Sequence, residues 1–137
     1  MASESMRRLV EALEGWNSRD YETVMANIAE DVVWKTGGQI PDIEDVYEGH
    51  EGVMQFFREF IDPWEKISIE IVDVLEDRED QIFLVVRFRA TGRGGIEVDA
   101  RFFQVYRYDD QHQLTWFQAF PEEAEAEARR VAAEATG

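Results

Sequence analysis

The sequence predicts an α+β fold in which helices pack on one face of a curved antiparallel sheet. Up to Phe60, apolar residues recur at intervals of three and four, the period of a helix that buries one face. After Pro63 the interval becomes two, the period of a strand. Because the chain has 137 residues and no shift in composition, we expect a single domain over residues 1–137.

Three helices are predicted before the long strands. The apolar positions of the first are Leu9, Val10, Leu13 and Trp16. The second follows Asp20, a good N-cap residue, and its apolar positions are Val24, Met25 and Ile28. A short strand at residues 32–34 and an acidic loop at residues 37–46 come next. The third helix begins near His50, and its apolar positions are Val53, Phe56, Phe57 and Phe60.

The second half of the chain predicts consecutive antiparallel strands. Alternation at Ile67, Ile69 and Ile71 shifts phase to Val72 and Val74, which predicts a bulge or a strong bend. Three more strands, separated by turns, are predicted at residues 82–90, 96–108 and 114–120.

A short C-terminal helix is predicted after Pro121. Acidic residues come early in it and Arg129 and Arg130 come late, as the helix dipole favours. Val131 is its only large apolar residue. We therefore expect residues 122–137 to form a mostly solvated helical tail.

Composition excludes several classes of function. A net charge of −16 repels the phosphate backbone, so nucleic acid is not an expected partner. The chain has no cysteine, which excludes thiol catalysis and thiolate metal sites. His50 is expected in a turn or cap and His112 in solvent, so we predict no metal and no cofactor. No apolar run is long enough to span a bilayer and no secretory signal is recognised, so the predicted location is the cytoplasm, away from membranes.

Three stretches carry a family resemblance: AEDVVW at residues 29–34, YEGHEGVMQFF at residues 47–57, and VYRYDDQHQLTWFQAFPEEA at residues 105–124. Their order resembles the nuclear transport factor 2-like superfamily, and within it the SnoaL-like branch of polyketide cyclases and ketosteroid isomerase relatives. The resemblance covers residues 7–126. It implies a cone-shaped fold with a strongly bent sheet, an apolar cavity partly lined by the third helix, and a homodimer formed through the outer face of the sheet.

The resemblance also locates the catalytic groups of ketosteroid isomerases, which are an aspartate base, a tyrosine donor and a protonated aspartate. The corresponding positions here hold Thr36, Ala12 and Gln104, and the supporting hydroxyls fall at Ile28 and Phe57. Thr36 and Gln104 are not acids, and Ala12 has no phenol. Ile28 and Phe57 carry no hydroxyl. Steroid isomerisation by that mechanism is therefore not expected.

Two other branches place an acid on the last strand, where this chain reads Thr115, Trp116, Phe117 and Gln118. The acid of SnoaL-type cyclases has no counterpart there. Gln118 stands where limonene-epoxide hydrolases carry their second acid. Whether the protein is an enzyme is left open, with Asp31 or an acid of residues 37–46 as the alternative source of a catalytic group.

Gln104 is the one polar residue on an otherwise apolar or aromatic face of its strand. Its amide can bind a ligand carbonyl, or it can bond Thr36, Tyr106 or water as a structural residue. The candidate pocket residues are Trp34, Thr36, Phe57, Gln104 and Phe117. With them we expect a small apolar or aromatic ligand, although aromatic residues at such spacings more often pack in a core. The remaining alternative is an interaction or assembly module whose cavity is filled by side chains.

The outer face of the sheet is predicted to carry charge. Arg87, Arg89 and Arg101 are expected to meet Glu97 and Asp99 across neighbouring strands. Such pairs suit an interface between two copies of the chain better than an active site.

Overall fold

A computed structural model describes residues 2–36 and 45–134 of the chain. The predicted acidic loop lies mostly outside these residues. In chain order the elements are α1 (Glu4–Ser18), α2 (Tyr21–Ala26), β1 (Ile28–Lys35), β2 (Val46–Glu48), α3 (Gly49–Phe56) with a π-helical turn (Phe57–Ile61), β3 (Trp64–Asp77), β4 (Gln81–Gly92), β5 (Glu97–Tyr108), β6 (Leu114–Pro121), a 3₁₀ turn (Glu122–Ala124) and α4 (Glu125–Glu134). No helix among them is long and apolar enough to cross a membrane.

The first two helices form a hairpin, as their apolar periodicity predicts. The hydroxyl of Ser3 accepts from the backbone N–H of Met6 and caps α1, and Arg19 ends that helix with φ 59°. Val10 is 40% exposed, so it lies outside the buried stripe of α1. Ile28 is not part of the second helix, because α2 stops at Ala26 and Ile28 is the first residue of β1.

The described strands form one sheet in the order β2-β1-β6-β5-β4-β3. β3 to β6 are antiparallel neighbours in sequence, as predicted. The sheet as a whole is mixed, however, because β1 runs parallel to β6, with Trp34 opposite Phe117. The prediction of a purely antiparallel sheet was therefore wrong. Most of the chain lies between β1 and β6, and this connection is long enough for the crossover that a parallel pair of strands needs.

The predicted irregularity near Val72 is present in β3. Ile71 lies opposite Val86, and the next paired residue is Asp73, opposite Val85, so Val72 is the extra residue of a bulge. The strong bend that we predicted for the whole sheet stays a prediction.

Helix α4 packs on the face of the sheet that points away from the other helices. Its residues Ala128, Val131 and Ala132 are buried. The strand residues that complete this second apolar cluster are Phe83, Phe103, Val105 and Phe120. One side of α4 is thus buried, where two alanines let the helix approach the aromatic rings closely, while most of residues 122–134 are exposed. The mostly solvated tail stays a prediction. Residues 135–137 lie outside the described residues.

Candidate functional site

A cavity of about 80 Å³ lies between helices α1 and α3 and the inner face of the sheet. Leu13 and Trp16 reach it from α1, and Phe56 reaches it from α3. The strands complete a lining that is mostly aliphatic and aromatic. Among the described residues, its polar atoms belong to Trp16, Trp34, Thr36, Gln104 and Tyr106. Such a lining, mostly apolar with a few polar groups, is typical of small-molecule sites.

Four of the five predicted pocket residues line this cavity: Trp34, Thr36, Gln104 and Phe117. Trp34 lies opposite Phe117 across the parallel pair of strands, and Gln104 lies opposite Ala119. Because side chains of a strand alternate between its two faces, these residues all reach the inner face. The rings of Trp34 and Phe117 stack with centroids 4.1 Å apart.

Phe57, the fifth predicted residue, does not line the cavity. It is fully buried, stacks on Tyr21 with centroids 4.3 Å apart, and meets Trp16 edge to face at 4.2 Å. Phe56 and Phe60 line the cavity in its place. Residues four apart share a face of a helix while adjacent residues do not, so Phe57 is turned into the core.

Tyr106 was missed as a site residue, although it lies on the predicted apolar face of β5. Its hydroxyl donates a hydrogen bond of 2.6 Å to Oε1 of Gln104. Burial raises the pKa of Tyr106 far above its ordinary value. The phenol therefore stays neutral and keeps the hydrogen that it donates. Of the partners considered for Gln104, this tyrosine is the one observed.

Two further polar groups belong to the lining. Thr36 is buried, and its hydroxyl donates to the backbone oxygen of Asp45 at 3.4 Å. Trp34 is only 4% exposed, and its indole Nε1 is buried with no hydrogen-bond partner among the described residues. A buried N–H without an acceptor costs about 1–3 kcal/mol. Trp34 is therefore a costly residue for this position unless something else accepts its hydrogen.

Within residues 2–36 and 45–134, the lining contains no carboxylate, imidazole, ammonium or guanidinium group. Asp31, the alternative catalytic acid, is exposed and is not a lining residue. The other alternative source, the acidic loop, falls mostly outside the described residues.

Both histidines make contacts that hold elements of the fold together. Nε2 of His50 lies 2.7 Å from the backbone oxygen of Ile28 and ties the start of α3 to β1. His112 is half-buried rather than solvated, with Nδ1 at 3.3 Å from the hydroxyl of Ser5 and 3.4 Å from Glu79. In the described part of the chain, no three potential metal-ligating side chains lie together.

One of the predicted cross-strand ion pairs is present on the outer face, Arg87 with Asp99, whereas Arg89 lies 4.0 Å from Glu70. Arg87 forms a two-pronged ion pair with Asp99, with Nε at 2.9 Å from Oδ1 and Nη2 at 2.6 Å from Oδ2. Hydrogen bonding to Arg87 holds the pKa of Asp99 below its ordinary value. These charges lie on the opposite face of the sheet from the cavity.

Helices packed on a mixed sheet around an apolar cavity define the nuclear transport factor 2-like class of folds. The chain belongs to the SnoaL-like domain family, whose model matches residues 7–117. No curated protein matches the sequence.

Solved structures of the same class are similar to this one in fold. A nuclear transport factor 2-like protein of unknown function from Burkholderia pseudomallei is 24% identical, with a TM-score of 0.75 over 90% of this chain and 95% of that one. RV0760c from Mycobacterium tuberculosis, in complex with estradiol-17β-hemisuccinate, is 18% identical, with a TM-score of 0.75 over 84% and 91% of the two chains. The Δ5-3-ketosteroid isomerase from Mycobacterium sp. is 19% identical, with a TM-score of 0.75 over 86% and 92%.

Proposed function

We propose that the protein binds a small apolar or aromatic molecule in the cavity between α1, α3 and the sheet. The observation that carries this proposal is the lining itself, in which aromatic rings from helices and strands surround a few polar atoms. A ligand would exchange water contact for contact with these rings, which is the main source of affinity in apolar sites. The steroid-derived ligand of RV0760c, a protein of similar fold, supports the same class of molecule.

Cavity size limits the ligand. Sites that enclose drug-sized molecules measure roughly 300–1,000 Å³, whereas this cavity measures about 80 Å³. A compound of one or two rings is therefore a better match than a steroid. A larger compound would require a lining ring to move, and Phe60, which is only partly buried and contacts Phe56 and Phe88, is the best placed to do so.

The small volume also favours a second candidate function, an interaction or assembly module whose cavity is filled by its own side chains. In that case the rings of Trp34, Phe56 and Phe117 act as core. The two candidates differ in whether any compound stabilises the folded state.

A homodimer belongs to the proposal as well. Helix α4 covers the apolar part of the outer face, so the surface left for a second copy includes the Arg87–Asp99 pair. Light scattering that gives twice the monomer mass at micromolar concentration would support the homodimer, and the monomer mass alone would refute it.

The decisive experiment is a thermal-shift screen with one- and two-ring aromatic compounds. A compound that binds only the folded state stabilises it by about 2.7 kcal/mol at a hundredfold excess over its dissociation constant. Binding is confirmed by quenching of tryptophan fluorescence, since Trp16 and Trp34 line the cavity.

A pair of variants places the binding in the cavity. Ala119→Phe puts a ring into the cavity and should abolish both signals. Gln118→Phe puts the same ring on the opposite face of β6 and should leave them unchanged. If no compound raises the melting temperature of the wild-type protein, the ligand-binding proposal is wrong and the filled module is the better account.

A further inference from the structure

We infer that the cavity selects neutral ligands that carry a hydrogen-bond acceptor, such as an aryl ketone, and that the indole of Trp34 and the amide of Gln104 are the donors that recognise it. This inference rests on the proposed function and specifies its ligand. It follows from which hydrogen-bonding atoms of the lining are already paired and which are not.

The first donor is the indole N–H of Trp34. It is buried and has no acceptor within the described part of the chain. An indole nitrogen can only donate, so no change of tautomer or rotation about a terminal bond converts it into an acceptor. Packing fixes the ring, which stacks on Phe117 at 4.1 Å and contacts Trp16 and Phe56 at 5.6 Å each. A ligand oxygen that reached Nε1 would remove the cost of this unpaired group.

The second donor is the side-chain amide of Gln104. Its oxygen accepts the hydroxyl hydrogen of Tyr106 at 2.6 Å, which uses the only hydrogen of that hydroxyl. With the oxygen engaged, the two amide hydrogens on Nε2 remain, and no described residue accepts them. The Tyr106 contact therefore orients Gln104 as a donor towards the rest of the cavity.

Thr36 adds no donor, because its hydroxyl already donates to the backbone oxygen of Asp45, although its oxygen can still accept. Ionised ligands are disfavoured as well. The described lining offers no charged side chain to pair with a carboxylate or an amine, and an unpaired charge is expensive to bury. The complementary ligand is thus neutral and carries an oxygen that accepts a hydrogen bond.

Strand order defines where such a ligand would lie. Trp34 is on β1 and Gln104 is on β5, with β6 between them. The backbones of the two residues are therefore at least two strand spacings apart, on the order of 10 Å. Between them β6 presents Phe117, opposite Trp34, and Ala119, opposite Gln104. The ring of Phe117 forms part of the apolar wall between the two donors, and the small side chain of Ala119 leaves room beside the amide.

The test compares three bicyclic probes of nearly equal size by calorimetry and thermal shift. 1-Indanone carries a carbonyl acceptor, indane carries no polar atom, and 1-indanol carries a hydroxyl that both accepts and donates a hydrogen bond. One added hydrogen bond to an otherwise unpaired donor predicts that 1-indanone binds about fivefold more tightly than indane. 1-Indanol, whose oxygen also accepts, should likewise bind more tightly than indane.

Variants assign the preference to the two donors. Trp34→Phe and Gln104→Leu each remove donor hydrogens while keeping an apolar side chain, and at least one should reduce the preference for 1-indanone over indane to less than twofold. Trp116→Phe and Gln118→Leu make the same changes at residues that do not line the cavity, and they should preserve the preference for 1-indanone over indane. The comparison of probes on the wild-type protein does not depend on whether any variant folds.

The outcomes separate this inference from the proposed function. If indane binds as tightly as 1-indanone and 1-indanol, the acceptor rule is wrong while the binding function stands. If the preference survives in both Trp34→Phe and Gln104→Leu, these residues are not the donors. If neither these probes nor any compound of the screen binds, the proposed function fails and the inference fails with it.

Discussion

The side-chain nitrogen of Gln81 donates a hydrogen bond of 2.8 Å to the backbone oxygen of Ala132, and so ties the start of β4 to the last turn of α4. The same nitrogen donates to Glu76 at 2.6 Å, and the Gln81 oxygen accepts from Arg107 at 3.1 Å. Arg107 also donates to the backbone oxygen of Val131 at 2.9 Å. Two carbonyl groups that a helix end leaves unpaired are thus satisfied by side chains from the sheet.

Replacing Gln81 by Leu should loosen α4. Gln81 is fully buried, so its loss leaves the Ala132 oxygen and the Arg107 guanidinium short of partners. We expect a loss of about 1–3 kcal/mol in the free energy of unfolding and faster hydrogen exchange in residues 125–134. Gln113→Leu is the matched control, because the side chain of that half-buried glutamine makes a single hydrogen bond, to the backbone oxygen of Ala26. Unchanged exchange in α4 would show that apolar packing alone holds the helix.

Asn17 protects the free edge of the sheet. Its amide nitrogen donates to the backbone oxygen of Ile69 at 3.0 Å, and its oxygen accepts from the Ile69 N–H at 2.7 Å. Because β3 is an edge strand, Asn17→Ala exposes a backbone pair that another chain can join. We expect a loss of about 1–2 kcal/mol in urea unfolding and more self-association by light scattering. Ser18→Ala, which removes a bond within α1, should not increase self-association.

The free energy of unfolding should fall as the pH rises above 10. Burial, together with a hydrogen bond to Asp62, raises the pKa of Tyr21 to about 12. A free tyrosine ionises near pH 10, so between pH 10 and 12 the unfolded chain loses a proton that the folded chain keeps. The contribution of Tyr21 is therefore fully present below pH 10 and is lost as the pH rises to 12.

The measurement is urea unfolding of the wild-type protein and of Tyr21→Phe from pH 8 to 12. Tyr106 and Tyr108, whose pKa values burial also raises, act in both proteins, so the difference between the two curves reports Tyr21. The wild-type protein should lose stability more steeply above pH 10. Parallel curves over that range would rule out the role assigned to Tyr21.

Local periodicity predicted much of the fold. The apolar stripe of α1, the four strands from β3 to β6 and the bulge at Val72 follow from spacing, because each depends on residues close in sequence. The isolated polar position of Gln104 among apolar neighbours likewise located one polar group of the cavity. Four of the five residues chosen for the pocket line it, since strand alternation assigns each side chain to a face.

The errors arise where the outcome depends on distant segments. Spacing placed Phe56 and Phe57 in one stripe, and only the packing of Tyr21 and Trp16 against Phe57 decides that Phe56 lines the cavity. The parallel pairing of β1 with β6 joins strands from opposite ends of the chain. Ala128 and Ala132 of α4 read as weakly apolar in the sequence, yet they are buried.

By itself, the sequence determined the alternation of faces and therefore which kinds of side chain line each side of the sheet. The tertiary structure decided which hydrogen-bonding atoms remain unpaired inside, such as Nε1 of Trp34, and which are satisfied, such as Nε2 of Gln81, which donates to the distant Ala132. The reason is physical: facing direction is a local property of the backbone, whereas satisfaction of a buried polar atom depends on whatever distant residue folding brings within 3 Å or so of it.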